Sequence, residues 1–457
     1  MIRYILLYSG LFCLITSCNN RQEADSWNYP EIAEYSISHK HFGMSVVDSY
    51  HNLTNLKDPK VQNWLKAQDS LAETYFLNNQ RFRQFKKRFQ ELEGRSRGNI
   101  SNIRIDEKGN YFYLRYDETK DIDLLYYKEK LSNKETVLFD PSTYAIKSKN
   151  ISYLEPSFDG SKIAIGLDPR EEFTSTIIFY DLETKKILKD QITQINPDFG
   201  GIQWLPDNSG IIYLYFPFVE QSDARYKRQS FSAIHFFGDN PQKRTPIFGD
   251  DSFLGIASDY FPKVKIGSSW DSYIIGYSAK SGMFYDSFIA KLSDVMKGSP
   301  QWKPFFKTID KIYYNQGEIR GQHFIYRRAT PNGNQLCQVD IERPKFDKPL
   351  ILATGSREEP ITQFEITKDN IYFIREKYGV EISIFRIDSL QNTIQLKPPF
   401  VPGYASFLGE SVTHNKIGIG VDGWTSNYVR YYIDPHGKFI NEGLLDSANF
   451  PEFRNIT

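Results

Sequence analysis

Cysteine, methionine and histidine are scarce, at 3, 4 and 7 of 457 residues. Cys13 sits inside an N-terminal apolar run, Cys18 follows that run, and Cys337 lies alone in the strand-like stretch Gln335-Leu-Cys-Gln-Val-Asp-Ile341. No intramolecular disulfide framework is expected from that spacing, and a chain of this size buries enough core to do without one. Cys337 reads as a small buried hydrophobe rather than a nucleophile. The histidines show no zinc spacing with Cys, Asp or Glu, and H-E-x-x-H is absent. The closest pair, His39 and His41, reads as part of a polar loop. No metal and no cofactor is expected, since P-loop and dinucleotide fingerprints are missing too. Net charge is also absent, with 56 basic residues against 56 acidic. That excludes the basic footprint of a nucleic-acid binder.

The chain has no apolar run of the roughly 20 residues that a membrane span needs. The longest N-terminal one, Tyr4 to Thr16, follows Arg3 and has the length of a secretory signal core. Its end, Ile15-Thr16-Ser17-Cys18, resembles the bacterial lipobox. That resemblance implies cleavage before Cys18, lipid on its thiol and new amino terminus, and a place in the bacterial cell envelope. Residues 1–17 are then a lipoprotein signal peptide and 18–27 a polar tether.

What the chain has in quantity is aromatic side chains: 34 Phe, 30 Tyr and 6 Trp. They fall into two periodic regimes. Asp58-Pro59 is a helix start, an N-cap followed by a first-turn proline. Val61, Trp64, Leu65, Leu71, Tyr75 and Phe76, then Phe82, Phe85, Phe89 and Leu92, follow at spacings of three and four. This predicts an amphipathic helical extension over 28–95, interrupted near Asn79. From Asn99 the period becomes 2 and turn signals recur. Asp159-Gly160 followed by Lys162 to Gly166, and a second run at Thr176 to Tyr180, form the clearest unit. Similar turn-plus-strand starts occur at Asp106, Pro206, Ser269, Ile319, Thr367 and Thr413, each with a partner strand downstream. Units about 40 to 50 residues apart with four strands each mean β-propeller blades. The predicted fold is all-β, a seven-bladed β-propeller over 98–445 with an N-terminal α-helical extension and a tail at 446–457. Long insertions are expected at Phe216 to Ser230 and Leu292 to Phe306. Gly94-Arg95-Ser96-Arg97-Gly98 matches G-x-S-x-G in letters only. It lacks the preceding strand and following helix of a nucleophile elbow, so it reads as a linker.

Asp48-Ser-Tyr-His-Asn-Leu-Thr54 and the helix containing Val61, Trp64 and Gln68 resemble the N-terminal signature of the prolyl oligopeptidase family. Asp48, Tyr50 and Leu53 match that signature, whereas Ser49, His51, Asn52 and Thr54 depart from it. The order of helices followed by a propeller matches as well. The resemblance implies a two-domain serine peptidase whose propeller caps an α/β-hydrolase domain and restricts substrates to short peptides. It also implies that the Ser, Asp and His follow the propeller, beyond Thr457, so no catalytic residue is assigned here. The function expected is the substrate-gating part of a serine-type endopeptidase, incomplete on its own and partnered by a separately encoded hydrolase domain. The alternative is a non-catalytic lipoprotein propeller that binds peptides or a protein. Trp64, Phe82, Phe85 and Phe89 are the expected partner-facing residues, because their stripe would lack the hydrolase cover.

Overall fold

The computed structural model describes residues 28–93, 100–130, 134–144, 150–168, 173–249, 256–408, 417–424, 426 and 428–444. The signal peptide, the tether with Cys18, the 94–98 linker and the 446–457 tail lie outside the described residues. The chain divides into two compact units, before and after Gly94.

The first unit is a β-hairpin followed by two helices. The strands Ile37–His41 and Met44–Asp48 pair antiparallel around a Phe42-Gly43 turn with both residues at positive φ, 49° and 82°. Helix α1 is Pro59–Asn78, and Asp58 caps it by accepting the Lys60 N–H. Helix α2 is Gln80–Glu93. The interruption falls at Asn79, whose side-chain oxygen accepts the N–H groups of Arg81 at 2.9 Å and Phe82 at 3.2 Å. One residue thus ends α1 and caps α2, so the amphipathic stripe turns a corner instead of running on. Val61 is buried at 1% exposure, and Trp64 and Gln68 both donate to the Pro30 carbonyl, at 2.9 and 3.2 Å. The residues that carry the family signature thereby tie the helix to the segment before the hairpin.

The described residues of the second unit form five four-stranded antiparallel sheets and one eight-stranded sheet. The eight-stranded sheet is two four-stranded meanders joined through the single pair Ile195↔Tyr215. Seven meanders therefore follow one another, the architecture of a β-propeller. Their innermost strands are Ile100–Ile105, Asn150–Pro156, Ile202–Trp204, Phe261–Lys265, Ile312–Arg320, Ile361–Ile366 and Tyr404–Phe407. The hairpins legible in the sequence are the second and third strands of each meander. In the second sheet these are Lys162–Asp168 and Ser175–Asp181. The expected insertion at Leu292 to Phe306 is only partly one, since it holds the helical turn Leu292–Met296 and the outer strand Lys303–Pro304 of the fourth sheet.

Burial explains why the sheets stack. Apolar clusters fill the spaces between successive sheets from first to seventh. Between the third and fourth, Ile212, Phe248, Ile274 and Trp302 pack together, with Phe248 and Trp302 ring centroids 4.6 Å apart. Cys337 is a core member between the fourth and fifth sheets, and burial pushes its thiol up to about 11, the inert state expected of it. At the seam between last and first sheets, Arg430 and Glu442 form a buried ion pair within electrostatic reach of Tyr111 in the first.

Candidate functional site: the propeller cavity

The innermost strands place one polar residue at equivalent depth in each sheet. Arg104, Glu155, Gln203, Lys265, Glu318, Glu365 and Ser406 pair respectively with Phe112, Ala164, Ile212, Ile275, Ile325, Tyr372 and Gly420 of the second strands. Most stand between residues committed to the core, such as Leu154 and Pro156, Val264 and Ile266, and Phe364 and Ile366. Glu155, Gln203, Lys265, Glu318 and Glu365 line a cavity of about 690 Å³ bounded by strands and loops of six sheets.

Two ion pairs organise the ring. Lys265 Nζ lies 2.6 Å from Glu318 Oε1 and also donates to the Gly317 carbonyl at 3.3 Å. Burial opposes the Lys265 ammonium, but Glu318, with Glu365 and Asp271 behind it, outweighs burial and holds Lys265 above its usual value. Arg104 Nε stands 3.9 Å from Glu155 Oε2. Burial raises the Glu155 carboxyl to about 7, against the pull of Arg104 and of the Tyr153 hydroxyl. Its side chain keeps 36% of its surface open, so water in the cavity screens part of that effect. Glu365 is likewise raised, first by burial and then by Glu318. Asp271 is raised by burial, although Ser268 and the Gly267 N–H hold its charged form.

Neighbouring sheets are laced together at this depth. Tyr153 O–H accepts the Ile202 N–H at 2.9 Å, Trp204 Nε1 donates to the Glu155 carbonyl at 3.1 Å, and Gln203 Oε1 accepts the Ile266 N–H at 3.0 Å. One link crosses the cavity. Glu107, after the first innermost strand, accepts both the Ser269 N–H (3.2 Å) and the Ser269 hydroxyl (2.9 Å), 162 residues away in the fourth sheet. A ring of mixed charge with aromatic walls can hold a zwitterionic, partly apolar chain such as a peptide.

The raised Glu155 has a measurable consequence. Its folded value lies above the value near 4.5 of an unfolded chain, so the folded state holds the proton longer. Its contribution to stability is fully present below about pH 4.5 and is lost as pH rises through about 7. Glu155→Gln is expected to gain stability relative to wild type between pH 5 and pH 8 in urea unfolding. A difference that stays constant across that range would show that Glu155 titrates as an ordinary carboxylate.

The residues singled out from sequence lie elsewhere. In the helical unit Trp64 is half-buried on Pro30, and Phe82 packs on Phe76 with ring centroids 5.0 Å apart. Phe85 and Phe89 are 65% and 64% exposed. His39 does not stand in a plain loop: its strand places it 6.1 Å from His41 and 5.5 Å from His51, ring to ring. Even so, the described residues hold no group of three ligating side chains fit for a metal ion. In the insertion at Phe216 to Ser230, the Lys227 ammonium lies 3.9 Å from the Phe173 ring centroid.

Comparison with known proteins bears directly on this arrangement. Residues 30–351 match the family described as prolyl oligopeptidase, N-terminal beta-propeller domain. No curated protein sequence matches the chain. Among solved structures, the chain is similar to a prolyl endopeptidase from a study of inter-domain dynamics in catalysis and specificity (TM-score 0.76, 18% identity, 93% of this chain and 61% of that one). It is similar also to prolyl oligopeptidase B from Galerina marginata bound to a 35mer hydrolysis and macrocyclization substrate (TM-score 0.73, 17% identity, 93% and 62%). A third is oligopeptidase B from Trypanosoma brucei with covalently bound antipain (TM-score 0.70, 13% identity, 92% and 61%). At these identities the likeness concerns the fold, and the chain spans about three-fifths of the length of these relatives. By the extent of the family match, joined to the succession of seven meanders, the chain belongs to the prolyl oligopeptidase family and carries its N-terminal β-propeller domain.

Proposed function

We propose that this chain is the substrate-gating propeller of a prolyl-oligopeptidase-type serine peptidase, with short peptides as the molecules its cavity admits. The observation that carries this reading is the 690 Å³ cavity with its ring of mixed charge, in a chain whose family is defined by peptidases. Hydrolysis requires an α/β-hydrolase domain to supply the nucleophile. Among the described residues no serine hydroxyl is hydrogen-bonded to a histidine. The buried His235–Asp190 pair, 2.8 Å apart, instead ties the third sheet to the second, since the same Asp190 oxygen accepts the Gly238 N–H at 2.9 Å. Phe85 and Phe89, exposed on α2, are the surface offered to that hydrolase domain.

Residues 18–457 by themselves are therefore expected neither to cleave a fluorogenic prolyl peptide nor to react with a fluorophosphonate probe. Turnover that the probe blocks would overturn the reading. The second part of the proposal is the lipid anchor at Cys18. Expressed with its leader in a bacterium, the wild-type chain is expected in the membrane fraction, and Cys18→Ser in the soluble fraction. Equal partitioning of the two would remove the anchor. Among the described residues no helix is long and apolar enough to cross a membrane.

A further inference from the structure

Lys263 and Lys265 sit two residues apart on the innermost strand of the fourth sheet, so they share one side of it. Both line the cavity, but they are in opposite situations. Lys265 is held by Glu318 and the Gly317 carbonyl. Lys263 has no carboxylate at ion-pair distance among the described residues. Its ammonium stands between two aromatic rings, 5.4 Å from the Phe199 centroid and 5.5 Å from that of Tyr314, and its stem lies along Gly200. Burial alone acts on it, and lowers its proton affinity.

A partly desolvated ammonium without a counter-ion is costly to keep, and here the two rings fix its direction. One pleat deeper, Glu318 and Glu365 repel a second negative charge. The place where an anion gains is therefore confined to the level of Lys263, and a compact single charge fits it better than a polyanion. The aromatic faces beside it offer cover for one apolar side chain.

We propose that Lys263 anchors the free α-carboxylate of a short peptide in the cavity, with Phe199 and Tyr314 flanking the terminal residue. This rests on the reading of the cavity as a peptide site. The channel then discriminates short peptides by a free carboxyl end in addition to size.

The test is calorimetric titration of the purified full chain with acetyl-Ala-Gly-Ala-Gly-Pro as the free acid and as the carboxamide. A charge-assisted hydrogen bond corresponds to about tenfold or more in affinity. The acid is expected to bind about tenfold tighter than the amide. Lys263→Met is expected to bring the acid down to the amide's affinity and to leave the amide unchanged, which also shows that the variant is folded. Lys263→Arg keeps the preference. Acid and amide binding alike would overturn the anchor and leave the peptide channel standing. Binding of neither would remove both. An amidated peptide with an internal glutamate that binds as well as the free acid would assign Lys263 to acidic side chains and overturn the terminus assignment.

Discussion

Lys265→Met is expected to destabilise the propeller by about 3 kcal/mol at pH 8, the lower end of the cost of breaking a buried ion pair. The lower end applies because Lys265 and Glu318 keep 21% and 18% of their side-chain surfaces open to the cavity. Lys265 is set among Glu318, Glu365 and Asp271. Without it, Asp271 and Glu318 stand beside Gly267 with Glu365 in electrostatic reach of Glu318, and burial already favours the protonated form of Glu365 and Asp271. The sign with pH follows. In the variant Glu365 and Asp271 have folded values further above their unfolded ones, so the deficit is present at high pH and shrinks as pH falls and they take up protons. Urea unfolding at pH 8 and pH 5 reads this directly. An equal deficit at both would mean that lost packing, not uncompensated charge, is what the methionine exposes.

Gly160→Ala is expected to cost a similar amount, about 3 kcal/mol, through backbone and packing alone. Gly160 has φ +67°, and a Cβ there would lie 1.8 Å from Asp106 Oδ2. Asp106 is 4% exposed and closes the first turn of the propeller by accepting the N–H groups of Lys108 and Asn110 (2.9 Å each) and the Asn110 side-chain amide (2.8 Å). The left-handed backbone costs alanine about 1–2 kcal/mol, and displacing a buried hydrogen-bonded carboxylate adds about 1–3 kcal/mol. Gly238 separates the two contributions. Its φ is +90°, but nothing lies within 4 Å of its Cβ position, so Gly238→Ala should show the conformational cost alone. Equal losses at the two glycines would mean that Asp106 yields freely.

The seven hairpins were legible because they are the best-buried strands, with runs such as Lys162–Asp168 and Ile371–Lys377 bounded by Asp-Gly or Asp-Asn turns. The cavity residues were not. Innermost strands are uneven, from three residues in Ile202–Trp204 to nine in Ile312–Arg320, and bulges interrupt the alternation between Ser101 and Arg104, Ile151 and Tyr153, Ile312 and Gly317, and Ile361 and Gln363. Glu155, Lys265 and Glu365 are therefore not set apart by the alternation from other charged residues. A usable signal was present all the same: a polar residue between two apolar ones shortly before each turn, as in Ile103-Arg104-Ile105, Leu154-Glu155-Pro156, Val264-Lys265-Ile266 and Phe364-Glu365-Ile366. The helix break at Asn79 was readable because asparagine serves as both an end and a cap. The pairing of Lys265 with Glu318, 53 residues apart, was not, since sequence carries no register between sheets.

The most direct test of the peptide channel is hydroxyl-radical footprinting of the full chain with and without a saturating short proline-containing peptide. The cavity is walled by Tyr153, Trp204, Tyr277 and Tyr314. An outer groove on the sixth and seventh sheets, lined by Val380, Ile382, Val401 and Trp424, has Trp424 73% exposed and serves as the internal comparison. Protection of Tyr153 and Tyr314 with Trp424 unchanged is the result expected. Saturable binding that protects Trp424 and leaves the cavity aromatics unchanged would contradict the account and move peptide recognition to the outside of the propeller.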